Sequence, residues 1–261
     1  MKLELLTNHP ETIDVNKPPV LFVHGMWHGA WCWQPYFLPF FEKWGIKAYA
    51  LSLSNHAGSP YKKPFNKLRI SDYVDDVKNT IDSFDKKPVV VGHSMGGFIV
   101  QKYLENNILP GAVLMASVPP FGILGGTLAT MKKFPGAFLK ANATLNLKYI
   151  VDTDDKYKYL LFNNDFNNTE IKKYRQKTDT ESYLAYLDML LLNLVNVNTV
   201  KTPLLVLGGG KDRVISKNNI LKTAGRYKAP VVIFKDIPHM MMLAPRYDKI
   251  ATTIINWIEK L

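Results

Sequence analysis

Residues 88–98 read Pro88-Val89-Val90-Val91-Gly92-His93-Ser94-Met95-Gly96-Gly97-Phe98. The β-branched run that opens them follows a charged loop and has the make-up of a buried strand, while the residues after Gly97 read as a helix. Between the two, Gly92-His93-Ser94-Met95-Gly96 matches G-x-S-x-G. At such a strand-to-helix turn the central serine is held in a strained backbone conformation, and glycines beside it remove side chains that would clash with strand and helix. The Ser94 hydroxyl is then expected above the sheet edge. The Met95 amide, at the start of the helix, would face the same point, where donor and helix dipole together stabilise a developing oxyanion. The pentapeptide also fits a plain tight connection in any α/β protein, so its context has to decide.

Upstream, residues 20–23 form a continuous apolar strand that runs into His24-Gly25-Met26-Trp27-His28-Gly29-Ala30-Trp31-Cys32-Trp33. A strand tip ending in His-Gly lets backbone amides face the space above the sheet, which makes Met26 the second expected oxyanion donor. His24 and the tryptophans read as packing for this loop. A helix carrying Phe37, Phe40 and Phe41 follows. Residues 3–6 read as an edge strand and 46–53 as a further strand. Ile70, Tyr73, Val74, Val77, Ile81 and Phe84 recur at helical spacing, with Ser71 or Asp72 as candidate cap. Residues 111–115 give another buried strand. This alternation predicts an α/β fold: a mostly parallel sheet with right-handed crossovers and helices on both faces.

The alternation then stops. No strand is evident in residues 119–200, where helices are expected over 127–143, 154–162 and 180–194. Both ends abut sheet strands, so the segment reads as a helical cap inserted over the strand tips, with residues 1–118 and 201–261 as the core. Met189, on the last helix of the insertion, reads as either a buried residue or part of a substrate-facing wall. Strands are expected again at 203–207 and 231–234, with helices at 216–227 and 244–261.

The chain has 261 residues, 47% of them hydrophobic, enough for one large domain with an insertion. Its 33 Lys and Arg against 22 Asp and Glu give a formal charge of +11. The basic residues occur only in scattered pairs, such as Lys62-Lys63 and Lys132-Lys133, without a basic helix face or a nucleic-acid motif. A solvated lysine-rich surface is expected, and no nucleic-acid partner. Cys32 is the lone cysteine, which excludes an internal disulfide, and no Cys/His cluster has the spacing of a zinc site. Met1-Lys2-Leu3-Glu4 has no signal-peptide pattern, and no apolar run approaches the length of a membrane span. The expectation is a soluble cytoplasmic protein without membrane association. Oligomeric state is not legible.

Ser94, Asp212 and His239 each fall just past an expected strand, in the chain order Ser, Asp, His. A serine needs a base to take its proton, and an imidazole needs a carboxylate to fix its tautomer and stabilise the imidazolium. Joint placement at one sheet edge makes these three the expected catalytic residues. Met26, Trp27, Met95 and Met240 would give an apolar pocket floor, favouring uncharged substrates.

On these residues the sequence resembles the α/β-hydrolase family. The His24-Gly25 loop, the Gly-His-Ser-Met-Gly-Gly turn, Gly209-Gly210-Lys211-Asp212 and Pro238-His239-Met240 carry the likeness, which covers nearly the whole chain outside the insertion. More narrowly, residues 24–33 are similar to the plant methylesterase and hydroxynitrile lyase group and its bacterial esterase relatives. The resemblance implies hydrolysis of small to medium uncharged carboxylic esters through an acyl-enzyme, with neither metal nor organic cofactor. Gly25, Trp27, His93, Met189 and Met240 are the expected pocket residues. A carbon–carbon bond hydrolase, a cofactor-free perhydrolase or haloperoxidase, and a ligand-binding receptor with negligible turnover fit the same triad. Lyases of the group place a lysine directly after the catalytic histidine and a threonine after the first histidine of the loop. Here those positions are Met240 and Gly25, which favours hydrolysis.

Overall fold

A computed structural model describes residues 2–12, 14, 17–164 and 166–261. Among these residues seven strands follow in chain order: β1 (Leu5–Thr7), β2 (Val20–Val23), β3 (Ala48–Leu51), β4 (Val89–His93), β5 (Ala112–Met115), β6 (Leu204–Gly209) and β7 (Val231–Phe234). They form one sheet in the order β1-β3-β2-β4-β5-β6-β7, parallel except for β1, which pairs antiparallel with β3. Every residue of β2, β4, β5 and β6 is buried, because the sheet is covered on both faces and a strand of this kind has no solvent side to leave polar. The edge strand lies at residues 5–7 in place of 3–6, and the strand expected over 46–53 is shorter. The Ile46 amide is taken by Phe41 O at 3.0 Å, and the Leu53 amide donates to His24 Nε2 at 3.0 Å.

The helices of the core are α1 (Phe37–Lys43), α2 (Ile70–Asp82) and α3 (Met95–Leu104), with α9 (Lys217–Tyr227) and α10 (Tyr247–Ile258) after the insertion. Neither expected residue caps α2. The N-cap is Arg69, whose amide donates to the Asp72 carboxylate at 2.8 Å, while Ser71 is exposed. Helix α3 begins directly after Ser94, three residues earlier than its composition suggests.

Residues between β5 and β6 contain five helices among the described residues: α4 (Leu124–Lys133), α5 (Pro135–Thr144), α6 (Asp154–Leu161), α7 (Asn168–Gln176) and α8 (Tyr183–Leu187). The single helix expected over 127–143 is two, broken at Phe134 (φ −131°, ψ 62°). Pro135 cannot donate to the preceding turn and pushes its predecessor out of the helical region. A wider helical turn, Asp188–Leu192, continues α8. Its residues are not buried all round, since Leu191 and Leu192 are 65% and 62% exposed.

The insertion is tied to the core by buried charge. The Asp188 carboxylate, fully buried, accepts from the Ile70 amide at 3.0 Å and from both ends of the Arg69 guanidinium. Glu181, also fully buried, meets His56 Nε2 at 3.1 Å and accepts from the Tyr73 hydroxyl at 2.8 Å. Among the described residues no helix is long and apolar enough to cross a membrane.

Candidate active site

The order of the sheet places the site. The chain leaves β2 for β3 on one side and then returns to lay β4 on the other, so the tips of β2 and β4 flank a crevice where ligands bind in open α/β sheets. Val23 is paired with Gly92 at this end, which puts the loop after β2 beside the turn after β4.

Ser94 sits in that turn at φ 53° and ψ −118°, a conformation that costs energy in any residue with a side chain. Three hydrogen bonds over-determine it. Its amide donates to Met115 O at 3.1 Å, and its carbonyl accepts from Phe98 N at 3.2 Å and Val118 N at 3.1 Å. Gly96 is required for packing: a Cβ there would lie 2.4 Å from the carbonyl oxygens of both Val23 and His24. The helix can press against β2 only without it.

His239 follows β7, and Asp212 follows β6. His239 Nε2 lies 3.0 Å from Ser94 Oγ, and His239 Nδ1 lies 2.7 Å from Asp212 Oδ2. The other carboxylate oxygen of Asp212 accepts the amides of Val214 at 2.7 Å and Ile215 at 2.8 Å, so the acid is oriented at both ends. All three side chains are almost wholly withdrawn from solvent. They stand at the tips of β4, β6 and β7 and not of successive strands. The intervening tip, after β5, carries Ser117, which bonds Val118 O and Gln101 Nε2.

The loop after β2 passes hard against Ser94. A Cβ on Gly25 would meet Ser94 Cβ at 2.8 Å, so a larger residue there would crowd the hydroxyl. The amides of Met26 and Met95 take part in none of the backbone hydrogen bonds of the described turns, loops and caps. Two donors therefore stand uncommitted on either side of the serine. His24 donates from Nδ1 to Gly25 O at 2.8 Å, which ties down the start of the loop.

Three histidines around the serine are held neutral. Burial lowers His28 from the ordinary value to about 3, and it lowers His24 and His93 well below that value, with neighbouring histidines adding to the effect. The His93 ring stands 4.8 Å from that of His239 and its Nε2 donates to the His239 carbonyl at 2.9 Å. Its Nδ1 is buried without a partner.

A cavity of about 780 Å³, its open mouth included, lies over Ser94 between the strand tips and the insertion. Of the expected pocket residues, Gly25, Trp27, His93 and Met240 line it, together with Met26. Met189 does not. Its side chain is fully buried and its carbonyl accepts from Ile123 N at 3.1 Å, while Tyr186, three residues earlier on the inward face, lines the cavity. The insertion also supplies Ile123, Thr127, Phe138, Asn142 and Ile150, none of which the sequence reading singled out. Among the described residues none that lines it is Asp, Glu, Lys or Arg. Among the described residues no three His, Cys, Asp or Glu side chains converge as a metal site.

Residues 20–251 match the sequence profile described as the alpha/beta hydrolase family. Norfluorocurarine synthase 2 from Strychnos sp is 33% identical over 106 residues, 38% of this chain and 38% of that protein. Methyl jasmonate esterase 1 from Vitis vinifera is 36% identical over 87 residues, 33% of each. The aligned stretch thus spans well under half the length of either relative. Among solved structures, the monoacylglycerol lipase of Paleococcus ferrophilus superposes with a TM-score of 0.69 at 18% identity, covering 99% of this chain and 98% of its own. At that identity the likeness is one of fold.

Proposed function

Because the chain belongs to the α/β-hydrolase family, we propose that it hydrolyses carboxylic esters of small to medium size and no net charge. The observation that carries this reading is the unbroken line from Asp212 through His239 to Ser94, at 2.7 and 3.0 Å, beneath an apolar cavity. Asp212 holds the His239 proton on Nδ1, leaving Nε2 free to take the proton of Ser94 Oγ as the oxygen attacks the ester carbonyl. The carbonyl π pair moves onto oxygen, where the amides of Met26 and Met95 receive the charge. His239 then gives its proton to the departing alcohol, and the acyl group remains on Ser94. Water, deprotonated by the same imidazole, attacks the acyl-enzyme, releases the acid and restores the serine.

Residues 119–200 act in this reading as the cap that shapes the acyl and alcohol sites. Among the described residues no Asp, Glu, Lys or Arg lines the cavity, which favours uncharged substrates, since a lone charge in that surrounding would go unpaired. The test is a panel of p-nitrophenyl esters with labelling by an organophosphonate. Turnover is expected together with a single adduct on Ser94, and both should vanish in Ser94→Ala. An Ser94→Ala protein that folds and retains most activity would remove the nucleophile assignment.

A further inference from the structure

Apart from Ser94 and the histidines His28, His93 and His239 at the strand tips, the polar side chains that reach the cavity come from the insertion: Thr127, Thr130, Asn142 and Tyr186. Thr127, Tyr186 and Asn142 form a connected set through Tyr183. The Tyr186 hydroxyl donates to Thr127 Oγ1 at 3.2 Å, Tyr186 stacks at a tilt against Tyr183 with centroids 5.8 Å apart, and the Tyr183 hydroxyl donates to Asn142 Oδ1 at 2.6 Å. Asn142 Nδ2 spends one proton on Phe138 O at 2.7 Å.

Each of three side chains keeps a donor unspent. Thr127 accepts from Tyr186 and keeps its own hydroxyl proton. Thr130 makes no side-chain hydrogen bond among the described residues, and Asn142 keeps its second amide proton. Three donors therefore face the cavity on the insertion's side, away from Ser94 and the histidines, and polar groups placed in this way fix the orientation of a bound molecule. A carboxylate is a poor match, because no Lys or Arg lines the cavity to balance it. A cation would find no Asp or Glu among the described residues of the wall to balance it.

We propose that Thr127, Thr130 and Asn142 form a subsite for an uncharged acceptor oxygen, a ketone or ether, carried by the substrate at a distance from the scissile ester. The inference rests on the hydrolase reading for the identity of the ester, and it narrows the substrate class to oxygen-bearing esters over plain alkyl ones. The subsite acts on binding, through hydrogen bonds that an alkyl chain of equal length leaves unmade.

The experiment separates binding from turnover. Two p-nitrophenyl esters of equal acyl length, one bearing a ketone far from the ester and one fully alkyl, are titrated calorimetrically into Ser94→Ala protein. The ketone ester should bind about tenfold more tightly, the effect of a net hydrogen bond or two. Adding Thr127→Val or Thr130→Val should bring the two dissociation constants to within roughly twofold. The Thr130 side chain has no hydrogen-bond partner among the described residues, so Thr130→Val removes none of the protein's own hydrogen bonds. Equal binding of both esters, or a preference untouched by either variant, overturns the subsite. Hydrolysis of both esters by wild-type protein is measured in parallel, and its absence would count against the hydrolase reading alone.

Discussion

His28 Nε2 accepts a hydrogen bond from the Tyr157 hydroxyl at 2.9 Å, and His28 Nδ1 donates to Met26 O at 2.7 Å. The assignment of the proton follows from the carbonyl, which can only accept, and from the burial that keeps the ring neutral with its pKa near 3. A tyrosine of α6 in the insertion is thereby linked through one imidazole to the residue whose amide is the proposed oxyanion donor. Asp179 N adds a second tie, to Trp27 O at 2.9 Å, across a residue held at φ 67°. Tyr157→Phe should therefore lower kcat by about tenfold with little change in KM, since the loop that receives the transition-state charge loses its anchor. Stopped-assay kinetics on a single ester decide it; an equal rise in KM with kcat intact would place Tyr157 in substrate binding.

Asp212→Asn keeps the shape of the acid but presents an amide whose nitrogen cannot accept the His239 proton. Loss of the equivalent orientation in other triads costs on the order of 10⁴-fold in kcat. A comparable loss is expected here, with circular dichroism unchanged. A drop of less than about tenfold would mean that another carboxylate fixes the imidazole.

The end of the sheet that carries Ser94, Asp212 and His239 was legible because each of these residues follows a strand, and the strands are short unbroken apolar runs that no surface element would carry. Ser94, Asp212 and His239 could be placed at one edge on that ground alone. The insertion resisted for the opposite reason. Of the ten residues of α4 only Gly126 is buried, so the helix has no apolar stripe to read. Helix α7 buries just Ile171 and Tyr174 amid polar neighbours, too weak a pattern to declare itself. Arg69 and Asp188 stand 119 positions apart in sequence, and nothing local announces their pairing. Tyr186 and Met189 share one helix face three positions apart, and only the earlier reaches the cavity because the later one is buried beneath the insertion's own residues, a placement along the axis that local sequence does not set.

Acid should unfold this protein early. Below pH 6.5 an unfolded chain protonates its histidines, whereas native His28 resists down to about pH 3, and His24 and His93 are lowered in the same way. Each group adds nothing above its ordinary pKa and withdraws stability progressively as pH falls from 6.5 toward its native value. His56 has the opposite sign. Burial pulls it down, but the charge and hydrogen bond of Glu181 outweigh burial and raise it. Its contribution is present at low pH and fades as pH climbs through the raised value. Three against one, the thermal midpoint should drop steeply between pH 6.5 and 4. A flat profile over that range would mean that these rings are not buried neutral.

Glu181 joins the insertion to the core by meeting both His56 and the Tyr73 hydroxyl where neither carboxylate nor imidazole is exposed. Removing one member of a buried pair strands the other, at a cost of about 3–5 kcal/mol. Glu181→Ala should reduce stability by that amount in a urea titration. The double variant with His56→Ala should lose less than the two single losses added together, because it leaves no unpartnered charge. Strict additivity would show that the two groups do not interact.

Cleavage of a cyanohydrin is the reaction that most directly separates hydrolysis from lyase chemistry on the same serine and histidine. The serine and histidine could take the hydroxyl proton of mandelonitrile, but the carbon–carbon bond breaks only if the departing cyanide finds a positive partner in the dry cavity. Beyond the His239 imidazolium that this proton transfer creates and Asp212 already balances, none is there: no Lys or Arg among the described residues lines it, the residue after His239 is Met240, and His28 and His93 are kept neutral by burial. A thioether offers no charge to an anion. The missing attraction at contact distance is about 4 kcal/mol at the effective dielectric of a protein site, close to a thousandfold in rate. Cyanide release from mandelonitrile should therefore stay at the level of Ser94→Ala protein, measured colorimetrically beside ester turnover. Release well above that level, dependent on Ser94, would require a cation from outside the cavity wall to reach the leaving group, and Met240→Lys should then add little to it.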